Sequence, residues 1–280
     1  YSVVENAEDV LFHLDDDIWF KKMDEYENYL KRNSFYTEGG AKIAIMGGFH
    51  DPFSGNRANL DSIIISFQRS GLNVYPIASS TKRIELLKQI NPNAVVYFPH
   101  GRLVMGNADV AVEWLKERNI PIFTPLTLLK PENEWLEDPM GLFGGFLSQT
   151  LVMPELDGAI YPYVLNVQEP DEDGLYVFKV IPERLCNLTR IINNFVRLQR
   201  IANADKKIAI YYFKGAGQES LVAQGLETAP SLYNLLKRLK EEGYNVDNLP
   251  SEREFEKLLM TQGAVLSTYA DGAFDQYLKT

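Results

Sequence analysis

The side chains with the widest chemical range are scarce in this chain and fall in a few short segments. There are three histidines, His13, His50 and His100, and one cysteine, Cys186. A single thiol closes no internal disulfide and builds no thiolate metal cage, which removes zinc-finger readings and leaves the redox compartment open. His50 stands in Gly47-Gly48-Phe49-His50-Asp51-Pro52, and His100 in Pro99-His100-Gly101-Arg102. An imidazole at such a loop suits proton transfer or metal ligation, although His50 beside Asp51-Pro52 reads equally well as a turn cap. Glu155 and Asp157 sit two apart in Met153-Pro154-Glu155-Leu156-Asp157-Gly158. Two carboxylates presented between a proline and a glycine suit a general base or a ligand for a hard divalent cation, and the same pattern is a common turn signal. Arg57 and Arg102 read as solvated charge or, if they face one crevice, as a spot that binds carboxylates.

Several motifs are missing. No G-x-x-x-x-G-K-[ST] occurs, so the chain carries no Walker phosphate loop, and Gly215-Ala216-Gly217 lacks the third glycine of a dinucleotide fingerprint. Neither G-x-S-x-G nor H-E-x-x-H is present.

The elements that must position these residues alternate. Residues 5–32 carry apolar side chains at helical spacing and predict one or two packing helices. Strands are expected at 42–46, 73–77, 94–98 and 120–123, with helices at 60–70, 82–90 and 108–118 between them. Such alternation predicts a parallel sheet covered on both faces, an α/β doubly wound domain of flavodoxin-like or Rossmann-like type. Two further strands, 159–167 and 175–181, flank the turn Pro170-Asp171-Glu172-Asp173-Gly174 as a hairpin, and a long helix runs from Pro182 to about Ile201. Ligands of such sheets bind beyond the carboxyl ends of the strands, where the strand order switches. With the order 2-1-3-4-5, the first and third strands are neighbours, which brings the His50 and His100 loops into one crevice. Segments 49–57, 99–102, 124–135 and 154–158 are expected at that edge.

A repeat follows. Lys207-Ile208-Ala209-Ile210 echoes Lys42-Ile43-Ala44-Ile45, Gly243-Tyr244-Asn245-Val246 echoes Gly71-Leu72-Asn73-Val74, and Gly263-Ala264-Val265-Leu266 echoes Asn93-Ala94-Val95-Val96. The expected organisation is a helical segment at 1–36, a first α/β domain with hairpin at 37–181, a linking helix at 182–206 and the start of a second, similar α/β unit at 207–280. A second sheet cut after three strands would leave an open edge, so the chain reads as a piece of a longer protein.

Charge narrows the partners. The chain has 28 Lys and Arg against 38 Asp and Glu, a net charge of -10, which repels a phosphate backbone and argues against nucleic acid. No apolar run approaches the roughly 18 residues of a membrane span. The chain begins at Tyr1 without a Met, which leaves export open.

One family matches these residues in order. Residues 41–46, Gly71-Leu72-Asn73-Val74-Tyr75-Pro76-Ile77, Ala111-Val112-Glu113-Trp114-Leu115, Glu134-Trp135, Gly141-Leu142, the PELDG segment from Pro154 to Gly158, Arg184, and the SLYNLLKRLKEEGYNV segment from Ser231 to Val246 resemble the large subunit of cobaltochelatase, CobN, and the H subunit of magnesium chelatase. PELDG and SLYNLLKRLKEEGYNV are the specific parts of the resemblance, which covers nearly the whole chain from about residue 37. It implies a cytoplasmic, ATP-dependent metal chelatase, a ligase forming nitrogen–metal bonds. Such a subunit takes a tetrapyrrole and a divalent metal, Co2+ or Mg2+, as substrates while partner AAA+ subunits hydrolyse ATP, which agrees with the missing phosphate loop. As a piece of that subunit the chain alone is expected to be inactive. Glu155 and Asp157 occupy the PELDG positions, and Glu155 is the carboxylate expected to take part in chelation. Together with His100 they form the expected catalytic set, with Glu155 and His100 meeting the metal; Arg57, Arg102 and His50 are expected to bind the macrocycle and its acid side chains. Phe49-His50-Asp51 and Pro99-His100-Gly101-Arg102 match no common pattern of the family, which leaves metal, macrocycle and reaction direction open. Two alternatives stand beside this reading. One is a homologue that binds or demetallates haem or another metallated ring, with His50 and His100 as axial ligands. The other is a non-catalytic two-lobed receptor for a small ligand.

Overall fold

Short apolar runs and the amphipathic stretches between them fold, in a computed structural model, into a sheet covered on both faces; the structure describes residues 7–15, 17–48, 52–104, 106, 108–211, 222–223 and 226–262. Two compact units divide the chain, Tyr1–Arg197 and Leu198–Thr280. The first contains β1 (Val10–Phe12), β2 (Trp19–Phe20), α1 (Met23–Arg32), β3 (Lys42–Gly47), α2 (Ala58–Arg69), β4 (Asn73–Ala78), α3 (Arg83–Ile90), β5 (Ala94–Phe98), α4 (Ala108–Arg118) and β6 (Ile122–Thr127). It continues with α5 (Glu132–Glu137), α6 (Gly144–Leu147), a π-helical turn (Ser148–Val152), α7 (Met153–Glu155), β7 (Ala159–Pro170), β8 (Tyr176–Val180) and most of α8 (Pro182–Arg200).

The strand order is β2-β1-β4-β3-β5-β6-β7-β8. Its parallel centre, β4-β3-β5-β6-β7, is the doubly wound 2-1-3-4-5 arrangement expected from the alternation. β1 adds to β4 and β8 to β7 in antiparallel sense. All five residues of β5 are buried, as a strand covered on two faces requires. Successive side chains then go to opposite cores. Ile43, Ile45, Val96, Phe98 and Phe123 pack with α2 and α8 through Leu60, Ile63, Ile64, Phe67, Leu188 and Ile192. Ala44, Met46, Val95, Tyr97 and Ile122 pack with α1, α3 and α4 through Tyr26, Leu30, Leu86, Leu87, Ala111 and Leu115. Burying one such aliphatic or aromatic side chain is worth roughly 1.5–3 kcal/mol.

Two local expectations change. Among the described residues of the predicted helical stretch 5–32, helix begins at Met23; upstream, Val10, Leu11 and Phe12 are fully packed in a strand, with Leu11 opposite Ile77 of β4 and Phe20 of β2. A run of three consecutive apolar residues satisfies a strand as well as a helix stripe, and the open edge of β4 decides it. β6 runs to Thr127 rather than Phe123, carrying Pro125 opposite Tyr163 of β7, with register shifts on either side of that stretch.

In the second unit, two short strands, β9 (Val222–Ala223) and β10 (Leu226–Glu227), pair antiparallel ahead of α9 (Thr228–Glu241) and α10 (Glu252–Gln262). The expected strand at 207–210 is irregular and exposed, and 245–246 is irregular as well, neither having a ladder partner among the described residues. Extended backbone becomes a strand only when a neighbour takes up its N–H and C=O groups. The third repeat strand, Ala264-Val265-Leu266, lies outside the described residues, as does Gly215-Ala216-Gly217.

Candidate functional site

The loop after β5 is where three of the six predicted site residues, His100, Arg102 and Asp157, come together. β3 and β5 are parallel neighbours, and their ends touch: the Gly48 N–H donates to the Phe98 carbonyl at 2.7 Å. Gly47 has φ +127°, and a Cβ there would lie 2.1 Å from the Phe98 carbonyl oxygen; a Cβ on Gly48 would lie 2.3 Å from that of His100. Two glycines are therefore what lets the β3 loop pass the His100 backbone. The His100 side chain is exposed at this edge. His50, expected to share the crevice, lies outside the described residues, together with Phe49 and Asp51.

Beyond His100 the chain doubles back over β5. The Tyr97 hydroxyl lies 3.1 Å from the Gly101 carbonyl and 2.9 Å from that of Arg102, and its proton serves these acceptors. Burial pushes this phenol above its ordinary range, which keeps it a donor. Arg83, at the start of α3, donates from Nε to the Ser79 carbonyl and from Nη1 to the Leu103 carbonyl at 3.0 Å. The Gly101 N–H donates to the Gln149 carbonyl at 2.9 Å. Gln149 belongs to the π-helical turn, whose wider winding leaves carbonyls available to other partners.

Asp157 closes the loop from the other side. Its carboxylate, 4% exposed as a residue, accepts from Arg102 Nε at 2.7 Å and Nη2 at 2.6 Å and from the Leu103 N–H at 2.7 Å. Asp157 and Arg102 are therefore each other's partners, and the carboxylate expected in catalysis holds a loop in place. Segment 154–158 was expected at the carboxyl edge of the sheet, but the register Ile122↔Ala159 places it just before the first residue of β7, at the opposite end of a parallel strand. It meets the 99–104 loop only because that loop folds back.

Arg57 is more thoroughly engaged. It is 5% exposed; Nε and Nη2 donate to Asp61 at 3.0 and 2.8 Å, Nη1 donates to the Asp15 and Pro52 carbonyls, and Nη2 also to that of His13. The guanidinium lies over the Phe12 ring as well. This side chain ties the start of α2 to the β1–β2 hairpin and has no donors left for a ligand, which corrects the expected substrate-binding role.

Glu155 stands apart. It is exposed on α7, and among the described residues its carboxylate has no hydrogen bond or ion pair. Val152, Met153 and Leu156, beside it in the chain, are 49%, 38% and 61% exposed. Exposed apolar side chains gathered on one short turn suit a surface that a ligand can cover. Among the described residues no three His, Cys, Asp or Glu side chains are grouped so as to hold a metal ion, so Glu155 and His100 are not joined in a ready-made ligand set. Tyr97 and Arg83, which set the loop, were not singled out in the sequence, and Arg184, named there only in the family resemblance, lies over the Trp135 and Tyr163 rings. A cation in the first turn of a helix, against the macrodipole, was the available signal for Arg184.

With this geometry in hand, the sequence model of the family described as CobN/Magnesium Chelatase matches residues 2–277. The H subunit of the magnesium chelatase of Chlorobaculum parvum is 27% identical over 258 residues, 86% of this chain and 20% of that protein. The aerobic cobaltochelatase subunit CobN of Pseudomonas aeruginosa is 25% identical over 195 residues, 65% of this chain and 16% of that protein. Among solved structures, the catalytic subunit of cobaltochelatase from Mycobacterium tuberculosis superimposes with a TM-score of 0.64 at 24% identity, over 80% of this chain and 20% of that one. The chain thus spans about a fifth of the length of these relatives, and the superposition speaks for the fold.

Proposed function

The chain belongs to the CobN/magnesium chelatase family, and on that premise we propose that it is part of the subunit that holds a tetrapyrrole while a divalent metal ion, Co2+ or Mg2+, enters the ring. Insertion forms nitrogen–metal bonds and releases the two pyrrole N–H protons, so it needs a base beside the ring, loss of water from the metal, and a surface that holds a flat apolar macrocycle. One observation carries the reading: Glu155 presents a carboxylate without a partner among the described residues, beside the exposed apolar Val152, Met153 and Leu156, while Asp157, two residues on, is held by Arg102. A ring laid on these apolar side chains buries apolar area and strips water from the carboxylate, which strengthens it as a proton acceptor and as a hard oxygen ligand for the incoming ion. His100, exposed on the adjoining loop, is the second group able to take a proton or meet the metal.

ATP hydrolysis on partner AAA+ subunits and a cytoplasmic location complete the proposal. They rest on the family and on the absence of a phosphate loop from this sequence. Among the described residues no helix is long and apolar enough to cross a membrane. Residues 207–280 are proposed as the opening of a second α/β domain, on the strength of the repeat. The test of the site is Glu155→Gln in the protein assembled with its ATPase partners. Metal insertion is expected to fall by at least about a hundredfold, the scale of one general acid–base group, with macrocycle affinity retained. Unchanged insertion would remove Glu155 from the chemistry.

A further inference from the structure

Among three arginines beside the sheet, Arg57 gives all its guanidinium donors to acceptors of this chain, and Arg83 and Arg102 each engage Nε and one terminal nitrogen. Arg184 differs. It occupies the first turn of α8, where the helix macrodipole opposes a cation, so helix stability does not account for it. Its Nε donates to the Val164 carbonyl, and its central carbon lies 4.2 Å from the Tyr163 ring centroid and 5.4 Å from that of Trp135. The side chain is partly exposed. Among the described residues, its two terminal nitrogens have no carboxylate or carbonyl acceptor.

A guanidinium held in this way is oriented before any ligand arrives. Two ring faces and one backbone bond fix its plane, and the terminal N–H pair forms the fork that matches a carboxylate in two parallel hydrogen bonds. Tyr163 lies opposite Pro125 near the carboxyl end of β6, the edge at which β5 gives way to the His100 loop. We propose that Arg184, framed by Trp135 and Tyr163, receives a carboxylate from the rim of the tetrapyrrole. Arg57 has no donor left for that task, and Arg102 is turned toward Asp157 through Nε and Nη2. The inference rests on the tetrapyrrole-binding reading above and adds to it the group that recognises the acid side chains.

The probes are protoporphyrin IX and its dimethyl ester, titrated against the full-length protein by quenching of tryptophan fluorescence in one detergent-buffered solution. Wild type is expected to bind the acid more tightly than the ester. Arg184→Lys keeps the charge but loses the fork; it is expected to weaken the acid about tenfold, the scale of one charge-assisted hydrogen bond, with the ester unaffected and the melting temperature retained. If Arg184→Lys binds both rings as wild type does, the carboxylate role is overturned while the wider reading stands, and a lowered melting temperature would then mark Arg184 as a clamp between α5, β7 and α8. If wild type binds neither ring, the tetrapyrrole reading itself falls and takes this inference with it.

Discussion

The two ends of the first unit's sheet treat the same kinds of side chain in opposite ways. At the β1–β4 end, polar groups are closed on one another. His13 is fully buried against Tyr26, Tyr29 and Phe35, with the Tyr29 hydroxyl at 3.3 Å and the Gln68 amide at 2.7 Å, and Arg57 seals the hairpin beside it. At the β6–β7 end, among the described residues, Glu155 has no partner and the terminal nitrogens of Arg184 have no acceptor, and Val152 and Leu156 beside Glu155 are exposed. Buried polar groups that find all their partners hold a fold in one arrangement. Polar groups left open on apolar ground contribute little to stability and are available to a ligand. The contrast separates residues that look alike in the sequence, Arg57 from Arg184 and Asp157 from Glu155.

Removing Arg57 should break the closed end most severely. Arg57→Ala leaves the His13 and Pro52 carbonyls and Asp61 without their donor, and unfolding in urea should show a loss of about 3–5 kcal/mol, the range for breaking a buried charge network. A loss below about 1 kcal/mol would mean that this end is not closed in the sense described.

Acid should loosen the same end. Burial, with Arg57 nearby, holds the His13 imidazole down at about 4 in the folded chain, against its ordinary 6.5. The unfolded chain therefore takes up that proton first as pH falls, so His13 contributes stability above pH 6.5 that is lost progressively toward pH 4, up to about 3 kcal/mol. Comparing wild type with His13→Gln across this window isolates the contribution from the carboxylates that titrate nearby; parallel curves would refute it.

Asp157→Asn should have an intermediate effect. The amide keeps one acceptor for Leu103 but loses the charge that faces Arg102, and thermal melts should register a loss of about 2 kcal/mol. Glu155→Gln marks the open end and should be the smallest change, within about 0.5 kcal/mol of wild type, despite its expected effect on metal insertion. Should Glu155→Gln destabilise as much as Asp157→Asn, the distinction between the two carboxylates would be lost.

Much of the frame was legible because periodicity reports burial. The all-apolar Ala94-Val95-Val96-Tyr97-Phe98 reads as a strand covered on both faces, and Leu60, Ile63, Ile64 and Phe67 read as a helix face; the structure places both as such. Val10-Leu11-Phe12 is a strand that the pattern does not reveal, because three apolar residues carry no period of their own, and the edge of β4, distant in sequence, decides their conformation. The candidate site was legible as a set of residue types and not as a set of roles. Glu155 and Asp157 share one motif and one turn, yet their side chains point to different surroundings, and nothing in the spacing says which carboxylate Arg102 takes.

By itself, then, the sequence determined the alternation of strands and helices, the neighbourhood of β3 and β5, the acidity of the chain, and the family, because these follow from local pattern and residue type. Tertiary structure alone decided which charges were already used. A guanidinium or a carboxylate has the same donors or acceptors wherever it stands, and whether any remain for a ligand depends on carbonyls and side chains that the fold brings from far along the chain. For Arg57 those come from residues 13, 15, 52 and 61, and for Asp157 from residues 102 and 103.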